Sequence, residues 1–498
     1  MTEPPSAAPT SLTARTIRGV AWTLPTSLAT RVIGLVGTLL LARWVAPDEY
    51  GVVTAASIAT LTAFSVTTFG VGIYLLSNRD LSRADIFHAT CWFVSTGVVA
   101  LAIVWALSDP LGAWLDAPTL GRFMPVLVAS VLLDRVAFVP ERMLLRKLQF
   151  GRLSVARAAG ELTYTAVSLG LAISGHGALS IAWGSLACAG VRSMIIVSGV
   201  GWREWLEPHR LRLATLAKVV RSGVSVSVTS IAQFLMRRWD NLLISALFGN
   251  AAMGAYNLAY NLADTPAVAI GEQMSDVVAA SFPHAEPRKR QDALVRACLM
   301  ISLVMFPLAF GLGAVAETAA QAFLDRKWAA VGPMLAFLAI LSAPRPMAQI
   351  VQSYFYAGQR LRVVPSLEWL SLGIMMAGIA TIGRLGLLWA CGAVGGAFVV
   401  RTLALLIAVN RVDGIPLRRF VVPLLRPLAA CVLMVAAILV ARPGLAGLGP
   451  LIRLVVEVAL GAAVYLAGAR LIFRSAAVEF LGLVRSGIAA KTNQGGSR

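Results

Sequence analysis

Charged residues are scarce in this chain: Asp, Glu, Lys and Arg together make up 13% of its 498 residues, about half the fraction of roughly 25% usual in soluble domains. Little is left for a soluble catalytic domain. Acids are scarcer than bases, 24 against 43 Lys plus Arg, for a formal charge of +19. Histidine occurs four times, always singly (His88, His176, His209, His284), and the five cysteines (Cys91, Cys188, Cys298, Cys391, Cys431) lie in apolar runs without CxxC or metal-ligand spacing. Cysteines so placed are small core residues, and no metal site is indicated. A Walker loop, a Rossmann fingerprint, a nucleophile elbow and a zinc motif are all missing, which argues against an ATP-driven pump and a conventional hydrolase. No cofactor and no enzymatic activity are expected.

What the chain has instead is hydrophobicity, 58% of its residues. Runs of membrane-spanning length recur from residue 17 to residue 472, and a hydrocarbon core of roughly 30 Å needs about 20 apolar residues in a helix. Read against turn signals, they give spans at 17–42, 50–76, 88–108, 119–139, 155–174, 178–200, 218–248, 251–282, 291–314, 329–356, 365–383, 385–410, 421–441 and 448–472. The expectation is an all-α polytopic membrane protein of about fourteen transmembrane helices. The first run exceeds the apolar core of a cleaved signal, roughly 7 to 15 residues, and is read as an uncleaved span behind a polar tail at 1–16.

Loop charge tests the count independently, because a missed span would scramble the alternation of Lys and Arg. With the amino terminus inside, 28 basic residues fall in inside segments, and five (Arg43, Arg326, Lys327, Arg384, Arg442) fall outside. Both termini are therefore expected in the cytoplasm, with a carboxy-terminal tail at 473–498. The basic charge then reflects topology and contact with anionic headgroups, not nucleic acid.

The remaining arginines lie within spans, where a charge is costly and usually faces a cavity or a partner. Arg122, Arg453 and Arg470 are near span ends and read as snorkelling. Arg135 reads as part of a local ion pair with Asp134. Arg31, Arg237, Arg238, Arg345 and Arg401 are the deep cases. Polar residues follow them at helical spacing: Thr23, Ser27 and Arg31 in the first span; Ser222, Ser225, Thr229, Gln233, Arg237 and Asn241 in the seventh, with Asp240 about one turn beyond Arg237; Asn257, Tyr260, Asn261 and Asp264 in the eighth, just before Pro266. Interhelical hydrogen bonding alone would place Ser, Thr and Asn so. Stripes that include ionisable groups in adjacent spans favour a wet cavity. Pro344, Arg345 and Pro346 predict a break in the tenth span.

A weak internal repeat relates the first span to the seventh. Gly19 precedes Tyr50-Gly51 as Gly223 precedes Met253-Gly254, at nearly equal separation. Residues 17–217 and 218–410 would then be two six-helix lobes around a central cavity, with two additional helices at 411–472. Such repeats commonly underlie alternating access.

Three stretches carry a family resemblance. LARWVAPDEYGVVTAASIA at 41–59, RRWDNLLISALFGNAAMGAYNLAYNLADTP at 237–266 and ERMLLRKLQFGRLSVAR at 141–157 resemble, in order and spacing, the bacterial polysaccharide repeat-unit flippases, relatives of multidrug extruders and lipid II flippases. The resemblance implies translocation of an undecaprenyl-pyrophosphate-linked oligosaccharide from the cytoplasmic to the periplasmic leaflet of the bacterial inner membrane. Candidate partners would be a glycan polymerase and glycosyltransferases of the same pathway. It makes Arg31, Arg237 and Arg238 candidates for phosphate contact, with Arg345 and Arg401 behind them, since arginine binds anionic oxygens through fixed, charge-assisted bonds. Gln233, Asn257, Tyr260 and Asn261 suit sugar hydroxyls. Asp240 and Asp264 become counter-ions to the arginines or carriers of a coupling proton. A multidrug or organic-cation extruder of the same fold is the alternative among transporters, and a membrane glycan polymerase or ligase the alternative outside them.

Overall fold

The computed structural model describes residue 30 and residues 33–68, 70–78, 81–210, 212–281, 286–358, 360 and 363–474. Arg31 lies outside the described residues, as do Gly19, Thr23 and Ser27 and the side chains of Ser222 and Ser225.

In hydrocarbon every backbone N–H and C=O must be satisfied within the segment, so long apolar runs have one solution, the helix. The described residues follow it: α1 (residues 33–41), α2 (Pro47–Val66), α3 (Val71–Ser77), α4 (Arg83–Ala106), α5 (Ser108–Trp114), α6 (Leu120–Arg146), α7 (Phe150–Ile173), α8 (Leu179–Val197), α9 (Trp202–Trp205), α10 (Leu213–Phe248), α11 (Asn250–Ser281), α12 (Pro287–Phe323), α13 (Val331–Ser342), α14 (Arg345–Ala357), α15 (Val363–Thr381), α16 (Leu387–Asp413), α17 (Arg418–Ala441) and α18 (Pro450–Ile472). Ten stretches among them are long and apolar enough to cross a membrane, with α13 and α14 counting as one. The helices α7, α10 and α11 reach spanning length with more polar faces. Of the first run, the described residues show a helix over 33–41. The chain is an all-α polytopic membrane protein.

It divides into two compact units. One takes in the described residues up to Trp239 with Gly249–Ala251; the other takes in Asp240–Phe248 and the described residues from Ala252 on.

In the first unit the second apolar run is broken. Between α2 and α3 the chain turns at Gly70, whose φ of 66° is the left-handed conformation that only glycine adopts cheaply. The broken end of α2 is capped by a charge. Arg135 of α6, fully buried, reaches the Phe64 carbonyl and the Thr67 hydroxyl, and donates to the Phe93 carbonyl of α4 at 2.6 Å. Its guanidinium lies 4.2 Å from the ring centroid of Phe93 and 5.1 Å from that of Phe64. The pairing expected between Arg135 and Asp134 is not formed, because neighbouring helix residues do not face one another. Asp134 instead binds Arg192 of α8. Around this point Phe93 and Phe138 stack at 4.4 Å within a core that also takes Val71, Leu75, Leu144 and Trp205. His88 ties the segment after α9 to α4, since its Nε2 accepts the Arg212 N–H at 2.9 Å while Nδ1 faces the Ala84 carbonyl.

In the second unit one core joins α12, α14 and α16 through Met305, Ile350, Tyr354 and Leu405, and another joins α12 to α17 and α18 through Phe306, Cys431, Met434 and Tyr465. Close approach of small residues sets the last pair. A Cβ on Gly461 would lie 2.9 Å from Ile438, and one on Gly468 would lie 3.1 Å from Ala430, the packing that membrane helices use where hydrophobicity offers no preference between helix and lipid. Arg453, expected to snorkel, bonds instead to the fully buried Glu457 at 3.1 Å, which also receives Arg442 at 3.2 Å. The outward faces remain apolar: Val440 is 81% exposed and Leu471 85% exposed, as lipid contact requires. Helix α12 continues through Phe323, so much of the segment read as a loop at 315–328 is helical.

Candidate functional site

The polar stripe of α10 and α11 becomes a hydrogen-bonded ladder in the second unit. Asp240 is fully buried, a position that an ionised group holds only when paired or hydrogen-bonded. Its Oδ1 accepts the backbone and side-chain N–H groups of Asn241, both at 2.9 Å, and its Oδ2 accepts the Tyr256 hydroxyl at 2.6 Å. The amides then run in one direction. Asn261 donates to Asn257 and Asn257 to Asn241, each at 2.9 Å, so every amide N–H points toward the carboxylate. Asn257, Tyr260, Asn261 and Asp264 share one face of α11 because their spacing is three or four residues.

The same face meets the break between α13 and α14. Pro344 and Pro346 supply no N–H, and the Pro344 carbonyl, which accepts the Met347 and Ala348 N–H groups of α14 at 3.1 and 3.3 Å, also accepts the Thr402 hydroxyl at 3.3 Å. Arg345 opens α14, where a cation opposes the helix dipole, and its surroundings offset that cost. Its Nη1 lies 2.6 Å from Asp264 Oδ1, while its guanidinium sits 4.1 Å from the Phe398 centroid and 5.3 Å from that of Tyr260. A buried pair flanked by aromatic faces is the arrangement in which cation–π attraction is largest.

A second charged cluster lies one helical turn along α16. Arg401 donates through Nε at 3.0 Å and Nη2 at 2.5 Å to the same oxygen of Glu368 on α15, and Gln352 of α14 donates to that oxygen as well. Glu368 is 1% exposed, and its other oxygen is buried without a hydrogen-bond partner among the described residues. Sequence reasoning did not single out Glu368. The signal was there, a lone acid in the eleventh span opposite a lone arginine in the twelfth, because intramembrane charges occur mainly where they find one another.

The remaining candidates belong to the first unit. Gln233 stands one turn before Arg237 on α10, and the indole of Trp239 donates to the Thr62 hydroxyl of α2 at 3.1 Å. Arg237 and Arg238 are half-buried, and neither has an ion-pair or hydrogen-bond partner among the described residues. Thus Asp240, Asn257, Tyr260, Asn261, Asp264 and Arg345 come together in one unit. Arg401 is committed to a carboxylate beside them, and Arg237 and Arg238 are left with uncommitted charge. Five donors in a planar fork are what a guanidinium offers an anion.

The profile of the family described as polysaccharide biosynthesis protein matches residues 40–333. The lipopolysaccharide biosynthesis protein WzxC of Escherichia coli K12 is 22% identical to this chain over 359 residues, 71% of this chain and 72% of that one. The succinoglycan biosynthesis transport protein ExoT of Rhizobium meliloti is 24% identical over 340 residues, 66% and 67% of the respective chains. Among solved structures, the lipid II flippase MurJ in an inward closed conformation aligns with a TM-score of 0.74 at 14% identity, over 91% of this chain and 99% of that one. An inward-facing multidrug resistance transporter of the MATE family aligns with a TM-score of 0.61 at 16% identity, over 78% and 98%. Identities this low establish the fold that is shared.

Proposed function

Since the chain belongs to the polysaccharide biosynthesis protein family, we propose that it is a transporter, not an enzyme, that moves a lipid-linked oligosaccharide across the bacterial inner membrane. The carrier we assign is undecaprenyl pyrophosphate. The observation that supports this reading best is the pair Arg237 and Arg238, half-buried on a spanning-length helix with no anionic partner among the described residues. Such charge is expensive in a membrane unless a ligand uses it, and a pyrophosphate presents several anionic oxygens to a guanidinium fork. Arg31, from its place in the sequence, would join them.

The amides and hydroxyls of Gln233, Asn257, Tyr260 and Asn261 would meet sugar hydroxyls. Asp264 would serve as counter-ion to Arg345, and Asp240 as the anchor of the amide ladder or the carrier of a coupling proton. Arg345 and Arg401 reach substrate only by leaving a carboxylate, which ranks them below Arg237 and Arg238. Two six-helix lobes, 17–217 and 218–410, would alternate access around a cavity, with both termini cytoplasmic. The names of WzxC, ExoT and MurJ point the same way. A drug extruder shares the fold, but an organic-cation site would favour acids, and the adjacent mid-span charges of α10 that have no partner among the described residues, Arg237 and Arg238, are basic.

Complementation of a flippase-deficient strain tests the assignment, with surface glycan measured at matched protein levels. Arg31→Ala and Arg237→Ala should each sharply reduce export, because a charge-assisted contact is worth about 1.5–3 kcal/mol. Lysine should rescue partly, lacking the planar fork, and Arg288→Ala, exposed in a basic run, should export normally. Normal export by both Arg31→Ala and Arg237→Ala would remove the phosphate assignment.

A further inference from the structure

An apolar groove of about 580 Å³ runs along α16 in the second unit, bounded by α13 and α15. Its floor contains Gly378 of α15 and Gly392 and Gly396 of α16. Two glycines four residues apart in a membrane helix ordinarily seat a neighbouring helix at close range. Here they do not. A Cβ added at Gly392 or at Gly396 would meet nothing within 4 Å, so the glycines open a trough that no helix among the described residues fills.

The shape and the ends of the trough narrow its occupant. Phe337 and Trp389, 47% and 58% exposed, line its sides, and a hydrocarbon chain is much thinner than the roughly 10 Å of a helix with its side chains. From Leu388 to Val400 the trough follows α16 for about 18 Å at 1.5 Å per residue. At the α15–α16 turn, which Ile382 shares with the groove, Arg384 is exposed and has no ion-pair partner among the described residues. The lining is otherwise apolar. An occupant with a long hydrocarbon chain and an anionic head at one end matches that distribution. The floor also favours branching, because notches about 6 Å apart on one helix face take up methyl branches that a straight acyl chain lacks, and an unfilled notch forfeits its dispersion contacts.

We propose that this groove seats the isoprenoid chain of a polyprenyl phosphate carrier, with the phosphate at Arg384. The assignment rests on the flippase reading above and makes the groove a second carrier site, occupied by a carrier molecule whose head is at Arg384 and not at the arginines assigned to the pyrophosphate of the transported one.

The test uses the purified full-length chain in detergent, titrated separately with undecaprenyl phosphate and with phosphatidylglycerol and read by native mass spectrometry. Gly392→Leu and Gly396→Leu should each weaken undecaprenyl phosphate binding by about tenfold or more and phosphatidylglycerol by less than about twofold. Arg384→Gln should weaken the former several-fold. Gly373→Leu, also open to its surroundings but outside the groove, should change neither. Unchanged carrier binding in both groove variants, equal loss of both lipids, or the same loss in Gly373→Leu would overturn the proposal. Should the leucine variants melt early, photolabelling of the wild-type chain with a diazirine-bearing undecaprenyl phosphate decides, labels at Phe337 or within 374–400 supporting the groove and labels only elsewhere refuting it. Glycan export by the wild-type protein reports on the flippase reading separately. Export without carrier binding overturns the groove alone, and carrier binding at the groove without export overturns the flippase reading alone.

Discussion

At the scale of single residues, the charges inside this chain divide by whether a carboxylate holds them. Arg345 has Asp264, and Arg401 has Glu368 with Gln352 on the same oxygen. Removing one member of a buried pair strands the other, at a cost of about 3–5 kcal/mol, whereas replacing both with apolar residues of similar volume is often neutral. Glu368→Ala should therefore melt well below the wild type in detergent, and the double variant Glu368→Leu with Arg401→Met should regain most of the loss. A Glu368→Ala variant that melts with the wild type would mean that the pair carries no structural weight. Export by the double variant then speaks to function: normal export would remove Arg401 from the phosphate contacts. The candidates themselves were legible because a 3.6-residue period sorts polar groups onto one helix face, and that period is written in the order of the residues. Their partners were not. Glu368 and Arg401 are separated by 33 residues, and no local spacing announces a contact made between two helices.

At the scale of helices, the two breaks in otherwise apolar runs differ in how they are written. Pro344-Arg345-Pro346 removes two N–H groups, and the α13–α14 break falls there. The break between α2 and α3 has no proline, only Gly70 in the run Thr67-Thr68-Phe69-Gly70, and hydropathy continues across it. It is held by Arg135 from α6 acting on the carbonyl end of α2, where a cation complements the dipole. Gly97 exists to admit that arginine, since a Cβ there would sit 1.9 Å from Arg135 Nε. Gly97→Ala should destabilise the chain by about 1–3 kcal/mol through overpacking, visible as a lower melting temperature. Gly170→Ala on α7, where an added Cβ meets nothing within 4 Å, should instead be neutral or stabilising by up to about 1 kcal/mol. If the two alanines behave alike, the contact between Gly97 and Arg135 does not shape the break.

At the scale of the whole molecule, the helical class was legible and helix ends were not, for one physical reason. Hydropathy falls where the hydrocarbon ends, but backbone hydrogen bonding does not stop there. Helix α6 runs on through Arg142 to Arg146, and α12 begins at Pro287, ahead of its apolar run, and continues to Phe323. Basic residues read as loop charge thus stand on helix ends, which leaves their bias intact, because the positive-inside rule counts residues near the span ends whatever their conformation. With 28 basic residues on one side against five, reporter fusions in the turn after α6 at 147–149 and in the segment at 206–210 should report cytoplasm. Fusions after α5 at 115–119 and in the segment at 324–330 should report periplasm. The segment after α9 is the sharper test. Glu204 of α9 and Glu207 just after it are engaged by Lys147 and Arg83 respectively, which places the segment on the same side as the turn after α6 and the start of α4. A periplasmic signal at 206–210 would therefore contradict the charge bias and those two ion pairs together, and the fourteen-span topology could not survive it.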